Sequence, residues 1–233
     1  MKTILLLRIL EKYPLFTFNE FVRITGKGVN YCRTHLYRLK KEKLLFELEK
    51  GKYTVHENPL LFASLITTPS YISFWTALRF YNLTDQLPMQ IMIASKKSKK
   101  AVHFLTTTIT FHKLRYFWGY AKTRYEQFDI FIAEPEKCLL DSLLTGTVPL
   151  HEIAKAIDSA EINLEQLKAF AIRTKNKSLL KRLGFLLEQK GLSAEELLKH
   201  IDYNYIPLDL HHKKQGEKNK KWRIINNLAH DIA

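Results

Sequence analysis

Residues 14–55, PLFTFNEFVRITGKGVNYCRTHLYRLKKEKLLFELEKGKYTV, decide how the chain is read. Pro14 stops an apolar N-terminal helix, since proline cannot continue a helical hydrogen-bond ladder. Thr17-Phe18-Asn19-Glu20 has capping-box spacing, with a hydroxyl to cap the helix start and a carboxylate to reach back. Phe21, Val22 and Ile24 give that helix an apolar side, and Gly26-Lys27-Gly28 predicts a tight turn after it. In the next segment Val29, Cys32, Leu36 and Leu39 recur at the spacing of one helical face. Asn30, Arg33, Thr34, Tyr37, Arg38 and Lys41 project elsewhere, a set suited to reading base edges in a DNA major groove. Leu45, Phe46 and Leu48, then Glu49-Lys50-Gly51-Lys52, then Tyr53 and Val55 predict a β-hairpin. Lys50 and Lys52 at its tip would meet phosphates. The order describes a winged helix-turn-helix over residues 1–58, although such a domain can also serve protein contacts alone.

The whole chain has 233 residues, enough for one large or two modest domains. Its 46% hydrophobic and 26% charged residues argue for a packed core rather than disorder. The formal net charge is +14, unevenly spread. Residues 1–58 hold 12 Lys/Arg against 6 acidic residues, residues 59–133 hold 9 against 3, and residues 134–210 hold 10 against 12. A basic reader joined to a basic middle suits a polyanionic partner. The apolar run Ile4–Leu7 is broken by Arg8 and has no cleavage signature after it. No segment approaches the roughly 20 apolar residues of a membrane span, so a soluble cytoplasmic protein is expected. Cys32 and Cys138 fall in helical apolar patterns and read as reduced core residues.

Residues 59–233 are expected to form a C-terminal domain. Residues 56–70 read as a connection, followed by a helix from Ser70 through Phe80. The runs MQIMIAS and AVHFLTTTITFHKL, with Tyr116–Ala121 and Asp129–Ala133, predict a small, mostly antiparallel sheet up to residue 133. From Glu134-Pro135 to about residue 201 leucine stripes predict a helical bundle, with a second capping box at Ser193–Glu196. Residues 211–223 read as a basic low-complexity tail. The fold class expected is α+β.

Catalytic signatures are scarce. The nine histidines have no H-x-x-x-H or H-E-x-x-H spacing, and the eight glycines form no phosphate-cradling loop. No metal and no cofactor is expected. Glu136 and Asp141 could serve a Mg²⁺-dependent nuclease targeted by the winged helix. They lie five apart, however, and acidic residues in a first helical turn have a plainer use in offsetting the helix dipole. Tyr71/Trp75 and Tyr116/Phe117/Trp118 could stack on bases but read more simply as core.

The winged helix, TTPSYISFWTALRFYNLTDQLP, IAEPEKCLLDSLL, LLKRLGFLLEQKG and KWRIINN follow one another along the chain. Together they resemble the AbiEi family, the antitoxins of AbiE-type toxin–antitoxin systems. Pro135, Glu136, Lys137, Leu139, Leu140 and Asp141 match one family motif, with Cys138 where a small residue is typical. The resemblance implies a non-enzymatic regulator. Its winged helix would repress its own operon by binding inverted repeats in double-stranded DNA. Its C-terminal domain would counteract a nucleotidyltransferase-like toxin without a stable complex. By position the reading residues are Asn30, Arg33, Thr34, Tyr37, Arg38 and Lys41.

Overall fold

The computed structural model describes residues 3–228, which form a mixed α+β structure. The chain divides into two compact units. The first holds the chain up to Ile72 with Met89–Arg115 and Ala121–Ile132; the second holds Ser73–Pro88, Tyr116–Tyr120 and the chain from Ala133 onward.

The first unit begins with α1 (Thr3–Leu10), β1 (Phe16–Thr17), α2 (Phe18–Thr25), α3 (Val29–Lys41), β2 (Phe46–Glu49) and β3 (Lys52–Thr54). The capping box of α2 is complete: Glu20 N–H donates to Thr17 Oγ1 at 3.3 Å, and Thr17 N–H donates to Glu20 Oε2 at 2.6 Å. Gly26 ends the helix at φ +63°, a left-handed conformation that costs glycine little. Thr17→Ala removes the cap acceptor and is expected to lower stability by about 0.5–2 kcal/mol, read as an earlier denaturation midpoint. Three strands pair antiparallel in the order β1-β3-β2. Beneath them Leu6, Leu10, Phe16, Phe21, Cys32, Leu36, Leu39 and Leu45 make one buried cluster. Val29, expected in that stripe, is 46% exposed, because it stands at the first turn of α3 beyond the cluster's edge.

The same unit carries most of a six-stranded sheet in the order β6-β7-β5-β4-β9-β8. These strands are β4 (Ser70–Ile72), β5 (Gln90–Ser95), β6 (Val102–Phe104), β7 (Thr107–Lys113), β8 (Tyr120–Tyr125) and β9 (Phe128–Ala133). The sheet is mixed: β6–β7 and β4–β5 run antiparallel, whereas β5–β7 and β4–β9 run parallel. Ser70–Ile72, read from sequence as the start of a helix, is strand, because Tyr71 and Ile72 pair with Ala94 and Ile93 and Ile72 also faces Ile132. The helix starts only at α4 (Phe74–Phe80). The β2–β3 hairpin is tied to this part of the unit. Glu49 accepts from Lys99, and Phe46 meets Phe104 edge-on at 5.4 Å.

The second unit is mainly helical: α4, α5 (Pro135–Thr145), α6 (Leu150–Ile157), α7 (Leu164–Thr174), α8 (Lys177–Gln189) and α9 (Glu195–Leu198). Pro135 occupies the first turn of α5, where its missing N–H costs least. The expected capping box at Ser193 is not formed; α9 starts after Ala194, without a side-chain cap. Residues 206–226 are not a loose basic tail. They form β10 (Ile206–Pro207), β11 (Glu217–Asn219) and β12 (Ile224–Asn226), a small sheet in the order β10-β12-β11. Trp222 is buried at 1% exposure against α8, and its indole donates to Glu188. Gly184 makes room for that ring: a Cβ there would sit 2.1 Å from Trp222 Cζ3. Gly184→Ala therefore forces the indole or α8 to shift, and a loss of about 1–3 kcal/mol is expected in a denaturant titration.

Candidate nucleic-acid interface

Helix α3 buries Cys32, Leu36 and Leu39, half-buries His35 and leaves its other side chains exposed. Asn30, Arg33, Thr34, Tyr37, Arg38 and Lys41 are all exposed. Tyr37 is 67% exposed, so its ring contributes little to the core and is available to a partner. The helix contains no acidic residue, and Arg38, Lys40 and Lys41 stand in its last turn. Among the described residues Arg38 and Lys41 form no ion pair, so their charge is not neutralised within the fold. Thr34 Oγ1 donates to the Asn30 carbonyl at 3.2 Å, one turn back. The Arg33 guanidinium sits 6.0 Å from the Phe18 ring centroid, at the outer limit of a cation–π contact.

An open groove of about 330 Å³ runs between α3 and the hairpin, lined among others by Phe18, Arg33, Tyr37, Lys40 and Lys50. Lys40 closes part of it by pairing with Glu47 on β2. Burial pushes the Glu47 carboxyl up, but the bond from Lys40 and the Gly51 N–H outweigh it and hold that carboxyl below its ordinary range. Lys50 stands exposed at the hairpin turn without an ion pair among the described residues.

Lys52 does not join it. Its ammonium donates to the Ile66 carbonyl and pairs with Glu49 at 2.9 Å, so the expected phosphate contact from Lys52 is withdrawn. The reason is register: Lys52 is the first paired residue of β3, opposite Thr17 and Glu49, which places its ammonium within reach of Glu49 and the Ile66 carbonyl. Lys99, in the turn after β5, completes this arrangement by pairing with Glu49. Burial pushes Glu49 up as well, and Lys99 with Lys52 brings it below the usual carboxylate range. Glu49 thus holds two cations inward, and the outward charge of this region rests on α3 and Lys50.

Glu136 and Asp141, weighed above as nuclease carboxylates, are both buried in α5. Glu136 Oε1 accepts the Asn163 N–H at 2.8 Å, at the start of α7. Asp141 accepts from the Lys137 ammonium and from Ser73 Oγ, the latter at 2.9 Å. The Pro135–Asp141 motif therefore joins α5 to α7 and to the start of α4. Trp118 meets Phe170 edge-on at 5.0 Å and the Arg173 guanidinium at 4.5 Å, an intramolecular cluster within the second unit. Among the described residues no group of three or more His, Cys, Asp or Glu side chains is placed to hold a metal ion, and no helix is long and apolar enough to cross a membrane.

The crystal structure of the RV2827C protein from Mycobacterium tuberculosis is similar to this chain, with a TM-score of 0.64. The match covers 93% of this chain and 89% of that one at 14% sequence identity, a likeness of fold alone. No family model and no curated protein matches the sequence.

Proposed function

We propose that this chain is a DNA-binding autorepressor and antitoxin. Residues 1–58 act as a winged helix-turn-helix, with α3 as the reading helix and the β2–β3 hairpin as the wing. One observation carries the reading: six polar or basic side chains stand exposed together on a helix that has no acidic residue and whose opposite stripe is buried. Arg33 and Arg38 supply bidentate donors for guanine edges or phosphates, Asn30 suits adenine, and Lys41 with Lys50 suits the backbone. The antitoxin half of the proposal rests on the ordered motifs that resemble the AbiEi family, and the partner it implies is a nucleotidyltransferase-like toxin in the same cytoplasm. No observation favours the nuclease alternative, since Glu136 and Asp141 are engaged in bonds that join helices.

A mobility-shift assay on the DNA upstream of the chain's own gene tests the proposal. Lys41 and Lys50 on the backbone correspond to a log–log salt slope of about −1.8 per bound copy, at about −0.9 per neutralised phosphate, steepening to about −3.6 where Arg33 and Arg38 also meet phosphates. Affinity that is flat between low and moderate salt, or absent, would overturn the reading. Restored growth when the chain is expressed beside the neighbouring toxin gene tests the antitoxin half separately.

A further inference from the structure

The second unit contains a cavity of about 250 Å³ at the C-terminal end of α5, bordered by Gly146, Thr147, Pro149, Leu150, Arg182 and His211. Its chemistry is that of an anion receptor. Arg182 rises from α8 and is only 6% exposed. Its Nε donates to the carbonyls of Pro207 and Leu208, at 3.2 and 3.0 Å, which fixes the guanidinium plane. Neither terminal nitrogen has a hydrogen-bond or ion-pair partner among the described residues. The guanidinium thus keeps four of its five N–H donors for an acceptor in the cavity.

A second set of donors comes from α6. Its cap, Pro149, offers no side-chain acceptor, so the amides of Leu150, at the cavity wall, and of His151, next to it, carry the positive end of the helix dipole without a protein partner among the described residues. The far wall is the 208–212 segment, held against α5 by His211 Nε2, 2.9 Å from the Gly146 carbonyl oxygen. Asp209 also borders the cavity, but Oδ1 already accepts the His211 N–H at 2.7 Å, and the carboxylate stands beyond ion-pair distance of Arg182. Burial lowers the guanidinium's pKa, and Asp209 offsets this only in part.

We infer that this cavity binds a small oxyanion, a phosphate or a short carboxylate, held by the two terminal nitrogens of Arg182 and the first-turn amides of α6. Size sets the class: the cavity is smaller than the roughly 300–1,000 Å³ of pockets that enclose drug-sized ligands. A planar two-pronged donor matches an oxyanion in two parallel hydrogen bonds. The inference stands on the second unit alone and is independent of DNA binding by α3.

The test is a two-dimensional NMR titration of the full chain, with inorganic phosphate in one arm and acetate in the other, at constant ionic strength set by chloride. Saturable shifts at the Leu150 and His151 amides and at Arg182 Nε are expected in at least one arm, and the responding arm identifies the oxyanion. Arg182→Gln should weaken binding at least about tenfold, the equivalent of about 1.4 kcal/mol. Leu150→Asp keeps the guanidinium and places a tethered carboxylate at the cavity wall, at a helix position that favours an acid. It should abolish the response while far-UV circular dichroism stays unchanged. If Arg182→Gln does not fold, Leu150→Asp decides alone. No saturable shift in either arm, or an undiminished shift in Leu150→Asp, would overturn the inference.

Discussion

Replacing Arg33 and Arg38 together by alanine is expected to abolish operator binding while leaving the fold intact. Both side chains are exposed, Arg38 has no ion pair among the described residues, and Arg33 has only a marginal cation–π contact with Phe18, 6.0 Å from the ring centroid. Surface substitutions of that kind change stability by about 0.5 kcal/mol or less. Each arginine that meets a base edge contributes about 1–3 kcal/mol of discrimination, so the pair is worth roughly 30-fold to 10⁴-fold in affinity. The loss should be larger on the operator than on unrelated DNA, because base contacts specify and phosphate contacts only position. Lys50→Ala is the contrasting variant: it should weaken binding to all sequences alike and make the salt slope shallower by about 0.9. A parallel set with Lys52→Ala should leave DNA affinity unchanged, since that ammonium is spent on Ile66 and Glu49. Unchanged operator affinity in the double arginine variant would remove α3 from the reading role.

The local signals in residues 14–55 were strong because each lies within one turn or one hairpin. The Thr17–Glu20 box, the left-handed Gly26 and the Cys32–Leu36–Leu39 stripe need only neighbours three or four positions away, and all three form. The outward face of α3 was legible for the same reason: where a buried stripe is fixed, the opposite face follows from helical periodicity. What sequence did not reveal depends on partners far along the chain. Ser70–Ile72 has helix-like spacing, yet ladder bonds to β5 and β9 override it. Lys52 looked like its neighbour Lys50 until the register of β3 placed its ammonium within reach of Glu49 and the Ile66 carbonyl. The 211–223 segment is polar enough to pass for a tail, and what anchors it is Trp222, buried against Gly184 of α8 far along the chain. The Arg182 cavity has no sequence signature, because its wall residues come from α5, α6, α8 and the 208–212 segment.

Asp141→Leu is expected to be the most destabilising single substitution in the second unit. Lys137 and Asp141 are 1% and 0% exposed and lie one turn apart on α5, with the Lys137 ammonium bonded to Asp141 Oδ1 and Ser73 Oγ bonded to Oδ2. Burial pulls the Lys137 pKa below its ordinary value, and Asp141 offsets this only in part. The Trp118 ring lies 5.5 Å from the same ammonium. In Asp141→Leu the buried Lys137 ammonium loses its carboxylate and the Ser73 hydroxyl loses its acceptor. Removing one partner of a buried pair costs about 3–5 kcal/mol, which is a large part of the 5–15 kcal/mol that holds a typical domain folded. Lys137→Met/Asp141→Leu, which removes both charges at similar volume, should recover most of that loss, short of the about 1–3 kcal/mol owed to the stranded Ser73 hydroxyl. Adding Ser73→Ala should recover that remainder. Urea titrations of the three variants distinguish a charge that the fold must neutralise from one that merely fills space. If the single and the double variants unfold at the same midpoint, the pair is not what joins α5 to the start of α4. The proposed DNA binding by α3 gives an internal control, since α3 belongs to the first unit and the substituted residues to the second.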